Sequence, residues 1–156
     1  PIDTLMFDVT AFGETMLRYS VPSGERITKM RQLGVYVGGA ETNVLSGLSS
    51  LGRCCSWFSA VPDSDLGSLV LRELNAVGID TMQVIQTGER VGSYYVEFAA
   101  EPRPINVIYD RANSSVTTLT PNVRAKYIKF ISFYIIIYLT IFSYINKWKN
   151  KEKMKI

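Results

Sequence analysis

The chain has 156 residues, 47% of them hydrophobic, 12% aromatic and 20% charged, which is the composition of one globular domain and not of a disordered or collagenous chain. It contains no histidine, which excludes a Ser-His-Asp triad, a His-Glu-x-x-His zinc helix and a histidine general base. The formal net charge of +3 divides unevenly, because residues 1–125 carry one lysine and nine arginines against thirteen carboxylates, while residues 126–156 carry seven lysines against Glu152. The body is therefore faintly acidic with scattered basic residues, and no footprint for a nucleic-acid backbone is present in it.

In chain order, Pro1 is no initiator and no signal peptide precedes it, so the first residues are expected to be missing. Residues 5–12 form a short apolar run ended by Gly13, a buried strand. Residues 16–21 and 27–37 have β-type content broken by the turn signal Pro22-Ser23-Gly24. After Gly38-Gly39, the apolar residues Val44, Leu45, Leu48 and Leu51 recur at helical spacing, and Gly52 stands where a left-handed C-terminal cap is wanted. Residues 54–61 read as a second buried strand. It begins with the only two cysteines, Cys54 and Cys55, which as neighbours can neither clamp zinc nor bridge without strain. Two reduced thiols point to a reducing, cytoplasmic compartment.

Asp63-Ser64-Asp65 supplies an N-cap for a helix with Leu66, Leu69, Val70, Leu74 and Val77 inward and Gly78 at its end. Residues 82–85 make a third strand, and residues 91–99 and 105–110 two more with no helix between them. The order strand, helix, strand, helix, strand predicts an α/β fold with a parallel sheet, and the late hairpin joins residues 16–37 in a small second sheet, a lid.

From Lys126 onward the composition changes to Lys, Ile, Tyr, Phe and Asn, with no Gly, Ala, Val, Asp or Pro. Those residue types are what A/T-rich codons specify, so residues 123–156 read as an unrelated tail of intron, frameshifted or intergenic origin. The rival reading is a membrane anchor, since residues 130–145 are nearly uninterrupted apolar sequence followed by alternate lysines. Those sixteen residues fall short of the ~20 that a spanning helix wants.

Gly38-Gly39-Ala40-Glu41-Thr42-Asn43 stands between a strand and a helix, where residues without Cβ let a ligand approach the backbone and the helix N-terminus offers N–H donors. A polyhydroxy or anionic ligand suits that place. A tight turn alone also accounts for two glycines. Asn43 favours a ligand, because an amide in the first turn is a poor helix former that needs another justification. A P-loop fails, since Ala40 and Glu41 occupy the positions that need Lys and Ser or Thr.

This motif, with Gly13-Glu14 before it and Leu51-Gly52, Val61-Pro62-Asp63-Ser64-Asp65-Leu66-Gly67 and Tyr109-Asp110-Arg111-Ala112-Asn113-Ser114-Ser115 after it, resembles the amino-terminal signature of the PfkB/ribokinase family of sugar kinases. Within the family the wording is most like that of the 2-keto-3-deoxygluconate kinases. The resemblance runs from about Leu5 to Asn122. It departs from the family at Pro62, where a glycine is usual, and at Ser64, where an aspartate is usual; serine caps a helix nearly as well.

The resemblance implies a ribokinase-like parallel sheet flanked by helices with a β-sheet lid (lid strands within about 14–37 and 91–111), truncated to an amino-terminal portion over residues 1–122. It implies transfer of the ATP γ-phosphate to a hydroxyl of a sugar or sugar acid. Gly38, Gly39 and Asn43 match positions that hold sugar hydroxyls, and Tyr94, Tyr109 and Arg111 match lid residues that close over the substrate. Arg111 favours a sugar acid, because a guanidinium grips a carboxylate through two parallel N–H bonds, although a lone strand arginine is also an ordinary solvated edge residue. Tyr94 and Tyr95 alternate across a strand, so only one faces a ligand, and register with the motif selects Tyr94. ATP and magnesium are implied as cofactors. Their site, with the Gly-Ala-Gly-Asp anion hole and general base, belongs to the family's carboxy-terminal half and has no counterpart in this sequence, so no catalytic or metal-ligating residue is expected here. The implied partners are a small sugar or sugar acid and a second copy meeting through the lid strands; the alternative is a non-catalytic sugar-binding or dimerisation module, membrane-bound only if the tail is an anchor.

Overall fold

A computed structural model describes residues 7–99 and 101–120. The tail readings for residues 123–156, and the first residues of the predicted 5–12 strand, lie outside the described residues. Strand β1 (Val9–Phe12), entered from Asp8, pairs in parallel with β4 (Cys55–Phe58), which pairs in parallel with β6 (Ile79–Asp80), giving the order β1-β4-β6. The Asp8 carboxylate accepts the Cys54 amide at 2.8 Å and so fixes where β4 begins. Every residue of β4 is buried, and Trp57 with Phe58 fills the centre of the sheet. Burial also raises the Cys55 thiol, reinforced by the Asp8 carboxylate and Cys54, so this cysteine packs as a small apolar group.

The predicted single strand over residues 54–61 is two. At Ser59 the hydroxyl donates to the Gly13 carbonyl at 2.7 Å and the Ser59 carbonyl accepts the Ile85 amide at 3.0 Å. The chain there passes from its pairing with β1 to a second parallel pairing, β5 (Ala60–Val61) with β7 (Ile85–Gln86). The third strand of the main sheet is likewise not at residues 82–85. Gly78 takes φ +78° and the chain enters β6 at once, so Met82 lies in a turn with 79% of its surface exposed. A two-residue strand carries too little alternation to be seen in sequence.

Helices α1 (Ala40–Ser50) and α2 (Asp65–Ala76) end as expected, with Gly52 at φ +79° and Gly78 just past their C-termini. Ser64 caps α2 by accepting the Gly67 amide at 3.3 Å. Their buried stripes are narrower than the apolar spacing predicts: α1 buries Thr42 and Leu45 while Val44 and Leu51 face out, and α2 buries Gly67, Val70 and Leu74 while Leu66 and Val77 face out. Thr42 takes a core position because its hydroxyl is satisfied twice, donating to the Gly39 carbonyl at 3.2 Å and accepting from Thr15 at 3.1 Å.

The second sheet has four strands in the order β3-β2-β8-β9. Strand β2 (Met16–Ser20) pairs antiparallel with β3 (Gly34–Gly38) and parallel with β8 (Ser93–Glu97), which forms the expected antiparallel hairpin with β9 (Asn106–Asp110). The β-type stretch predicted from residue 27 instead opens with a single 3-10 turn, Ile27–Lys29, whose first amide is held by the Glu97 carboxylate at 3.1 Å. Arg103 then ties the far end of the sheet together, pairing with Glu97 at 3.0 Å and donating to the Gly24 carbonyl at 3.1 Å. One face of this lid is rooted in the core: Leu17 belongs to the cluster with Leu45, Trp57, Val70 and Ile79, and Tyr19 and Val37 pack against it.

A Cβ at Gly67 would overlap the Pro62 carbonyl, whereas one at Gly47 meets nothing within 4 Å. Gly67→Ala should therefore destabilise the chain by about 1–3 kcal/mol, and Gly47→Ala, in an exposed helix interior, should stabilise it by about 0.5–1 kcal/mol. Denaturant unfolding of the two variants checks the pair.

Candidate functional site

Residues directly opposite in a ladder present side chains on the same face, so the register of the lid fixes what stands together. Tyr36 is opposite Arg18, Arg18 is opposite Tyr94, and Tyr94 is opposite Tyr109. One face therefore carries the row Tyr36, Arg18, Tyr94, Tyr109 across all four strands. Its members touch, with the Arg18 guanidinium 4.6 Å from the Tyr36 ring centroid and the rings of Tyr94 and Tyr109 stacked at 5.7 Å. Tyr95 lies on the other face, stacked on Tyr19 at 5.3 Å.

The next row towards the core holds Gly38 opposite Met16, followed by Gly92 and Arg111. A Cβ on Gly92 would fall 3.2 Å from Met16 Cγ and 3.3 Å from Arg111 Cβ, which places the three side by side. Two glycines in one row leave a low floor beside the aromatic row, with a guanidinium at its end. The protein's own groups rest on this floor, the Tyr94 hydroxyl against Gly38 and the Glu14 carboxylate against Gly92.

The two glycines of the Gly38-Gly39 pair serve different ends. A Cβ on Gly38 would lie 2.8 Å from the Tyr94 hydroxyl, so the missing side chain is what lets that hydroxyl rest over the backbone. A Cβ on Gly39 would lie 2.8 Å from the Glu14 carbonyl and 3.1 Å from the Thr15 hydroxyl, so Gly39 permits close packing of the protein on itself. Gly39 is the N-cap of α1 with no side-chain cap, and its carbonyl accepts the Asn43 amide at 2.9 Å.

Asn43 stands in the first turn of α1. Its exposed side chain lines a cavity of about 450 Å³ between β3 and the two helices, with Arg18, Tyr36, Ser46 and Arg72 among the other walls. Arg18 and Tyr36 belong to both the cavity and the aromatic row, and so link Asn43 to it. Arg18 Nε is buried without a hydrogen-bond partner.

Sequence reasoning passed over Arg18, Tyr36, Glu14 and Gly92 as site residues. Arg18 shows in the sequence only as strand alternation, and Tyr36 only as part of the strand running into Gly38-Gly39, neither of which says which strands pair. Glu14 stands in the Gly13-Glu14 motif, and its side chain contacts Arg111. Beside the floor, Arg90 pairs with Asp110 at 2.9 Å and, by hydrogen bond and charge, holds that carboxyl below the usual carboxylate range. Asp110 thus has its own partner in Arg90.

A sequence profile of the family described as pfkB family carbohydrate kinase matches residues 6–139, running past Asn122. The chain is similar to a 2-dehydro-3-deoxygalactonokinase of Haloferax volcanii, 45% identical over 115 residues, which are 74% of this chain and 36% of that protein. It is 31% identical over 118 residues to a 2-dehydro-3-deoxygluconokinase of Bacillus subtilis, with the same coverage of 74% and 36%. The crystal structure of a 2-dehydro-3-deoxygluconokinase from Thermotoga maritima superposes with a TM-score of 0.71 at 35% identity, covering 74% of this chain and 35% of that one. The chain thus spans about a third of the length of the relatives it matches.

The contrast between the paired glycines gives a test. Gly39→Ala meets backbone and should cost about 1–3 kcal/mol of stability. Gly38→Ala meets only the movable end of Tyr94, so it should leave stability within about 1 kcal/mol while disturbing the Tyr94–Tyr109 stack, seen as a changed near-ultraviolet tyrosine dichroism.

Proposed function

We propose, from the premise that the chain belongs to the pfkB family of carbohydrate kinases, that residues 1–122 are the sugar-binding portion of an ATP-dependent kinase acting on a 2-keto-3-deoxy sugar acid. The observation that carries this reading is the placement of Arg111 at the end of the Gly38–Gly92 floor, beside the stacked Tyr94 and Tyr109. Arg111 receives the carboxylate through parallel N–H bonds. The tyrosine rings cover the apolar faces of the sugar chain and offer hydroxyls to its oxygens, Gly38 and the uncapped start of α1 present backbone donors, and Asn43 holds a hydroxyl from the helix side. The names of relatives from two organisms, both kinases of 2-dehydro-3-deoxy sugar acids, support the same substrate class.

We place the nucleotide outside the described residues. Both helix N-termini carry a carboxylate in the first turn, Glu41 in α1 and Asp65 in α2, which repels a triphosphate. Among the described residues there is also no group of three or more His, Cys, Asp or Glu placed to hold magnesium. We assign ATP, magnesium and the general base to the carboxy-terminal half of a complete family member, because the Gly-Ala-Gly-Asp motif has no counterpart in this sequence, and this chain's share of the reaction is to bind and orient the acceptor. The non-catalytic alternative draws on one observation: β9, the outer strand of the lid, exposes Val107, Ile108 and Tyr109, an edge suited to pairing with a second copy.

The 156-residue chain should show no ATP-dependent phosphorylation of 2-keto-3-deoxygluconate, and substrate-dependent ADP release above a protein-free blank would contradict the division. Replacing residues 123–156 with a family-type carboxy-terminal half should restore activity. In that chimera Arg111→Leu should weaken the sugar acid by about tenfold to a hundredfold and a neutral sugar little; equal losses for both would refute the sugar-acid assignment.

A further inference from the structure

Arg111 Nη2 lies 2.5 Å from Glu14 Oε2, and Glu14 comes from the turn joining β1 to β2. The partners have unlike surroundings, since the Glu14 side chain is 8% exposed and the Arg111 side chain 49%. The contact is one of charges, with neither Glu14 oxygen in an aligned hydrogen bond. A carboxylate kept out of water on such terms needs its site to be shaped around it.

The site is so shaped. Glu14 Oε1 sits over the Cα of Gly92, where any Cβ would overlap it, and the Glu14 carbonyl is packed against Gly39, where a Cβ would again collide. Gly92 and Gly39 thus clear the space for the side chain and for the main chain of the same residue. Gly13, immediately before it, has its carbonyl held by the Ser59 hydroxyl at 2.7 Å. Glu14 is anchored to the parallel sheet on one side and reaches the guanidinium of the lid on the other.

We infer that Glu14 is the positioning residue for Arg111. It holds one arm of the guanidinium at the core side of the floor, so that the remaining N–H donors face the open side where a ligand carboxylate arrives. A guanidinium has five donors in one plane, and one arm on Glu14 leaves an edge free for a second carboxylate. The opposing effect is repulsion between Glu14 and the ligand's own carboxylate. Orientation outweighs it here, because a half-exposed arginine just past the end of an outer strand otherwise spreads over many rotamers, each of which a bound ligand would have to exclude. This inference rests on the sugar-acid reading of the site.

The test uses the 156-residue chain and two probes, 2-keto-3-deoxygluconate and its neutral amide, with guanidinium resonances read by ¹⁵N-edited NMR and assigned by their loss in Arg111→Lys. Without ligand, Arg111 should give a distinct Nε–H signal that merges with the averaged arginine pool in Glu14→Gln. With ligand, Glu14→Gln should weaken the acid by about threefold to tenfold and leave the amide unchanged. The same substitution should have no effect on the acid when Arg111→Leu is already present. An Arg111 signal indifferent to Glu14→Gln, equal losses for acid and amide, or a tighter acid in Glu14→Gln would each overturn the proposal. If the unsubstituted chain shows no preference for the acid while the Arg111 signal still depends on Glu14, the sugar-acid reading fails and the positioning role stands.

Discussion

Everything proposed for this chain depends on one strand pairing, the parallel alignment of β2 with β8. The two strands are separated in sequence by the 3-10 turn, β3, α1, β4, β5, α2, β6 and β7, and their register sets Arg18 beside Tyr94 and Leu17 beside Ser93. Each strand brings its own antiparallel neighbour, so one pairing assembles residues from 16–38 and 92–111 on one face. A slip by one residue would carry Arg18 and Met16 to the core side and Leu17 into solvent. Burial of Leu17, with Tyr19 and Val37 packed behind it, holds the register against that slip. The core of the parallel sheet thus determines which polar residues face outward on the lid.

The sequence told more about elements than about their partners. Glycines at 13, 52 and 78 and the Ser64 cap mark the limits of β1 and both helices, since each is a local requirement of backbone geometry. The strand after α2 was misplaced because β6 is two residues long and begins directly after Gly78, while the more apolar residues 82–85 fall mostly in a turn. Helix faces were predicted too wide because Thr42 holds a core position through its hydroxyl, which a hydrophobic pattern does not count. For the site, motif resemblance pointed to Tyr94, Tyr109 and Arg111, and alternation correctly set Tyr94 against Tyr95. Glu14, Arg18 and Tyr36 escaped, because their place beside those residues follows from long-range register and not from any local signal.

The chain covers about a third of what a complete relative contains, and we propose that this third is the acceptor side. Its close approaches are consistent with that role, in that Gly38, Gly39 and Gly92 each lack a Cβ where a side chain or carbonyl of another segment must sit. Two of those approaches involve Glu14, which joins the end of β1, the start of α1 and the far strand of the lid. The contact of Glu14 with Arg111 thus ties the lid to the main sheet.

The account stands or falls on whether this one face of the lid receives the sugar acid. Amide chemical shifts of the 156-residue chain, followed while 2-keto-3-deoxygluconate is added, test it most directly. Gly38, Gly39, Gly92, Tyr94, Tyr109 and Arg111 should move together along a single saturating curve, with Tyr95 and Tyr19 on the opposite face little changed. Saturable shifts on the Tyr19–Tyr95 face with those six residues still would contradict the account, as would no saturable shift at all.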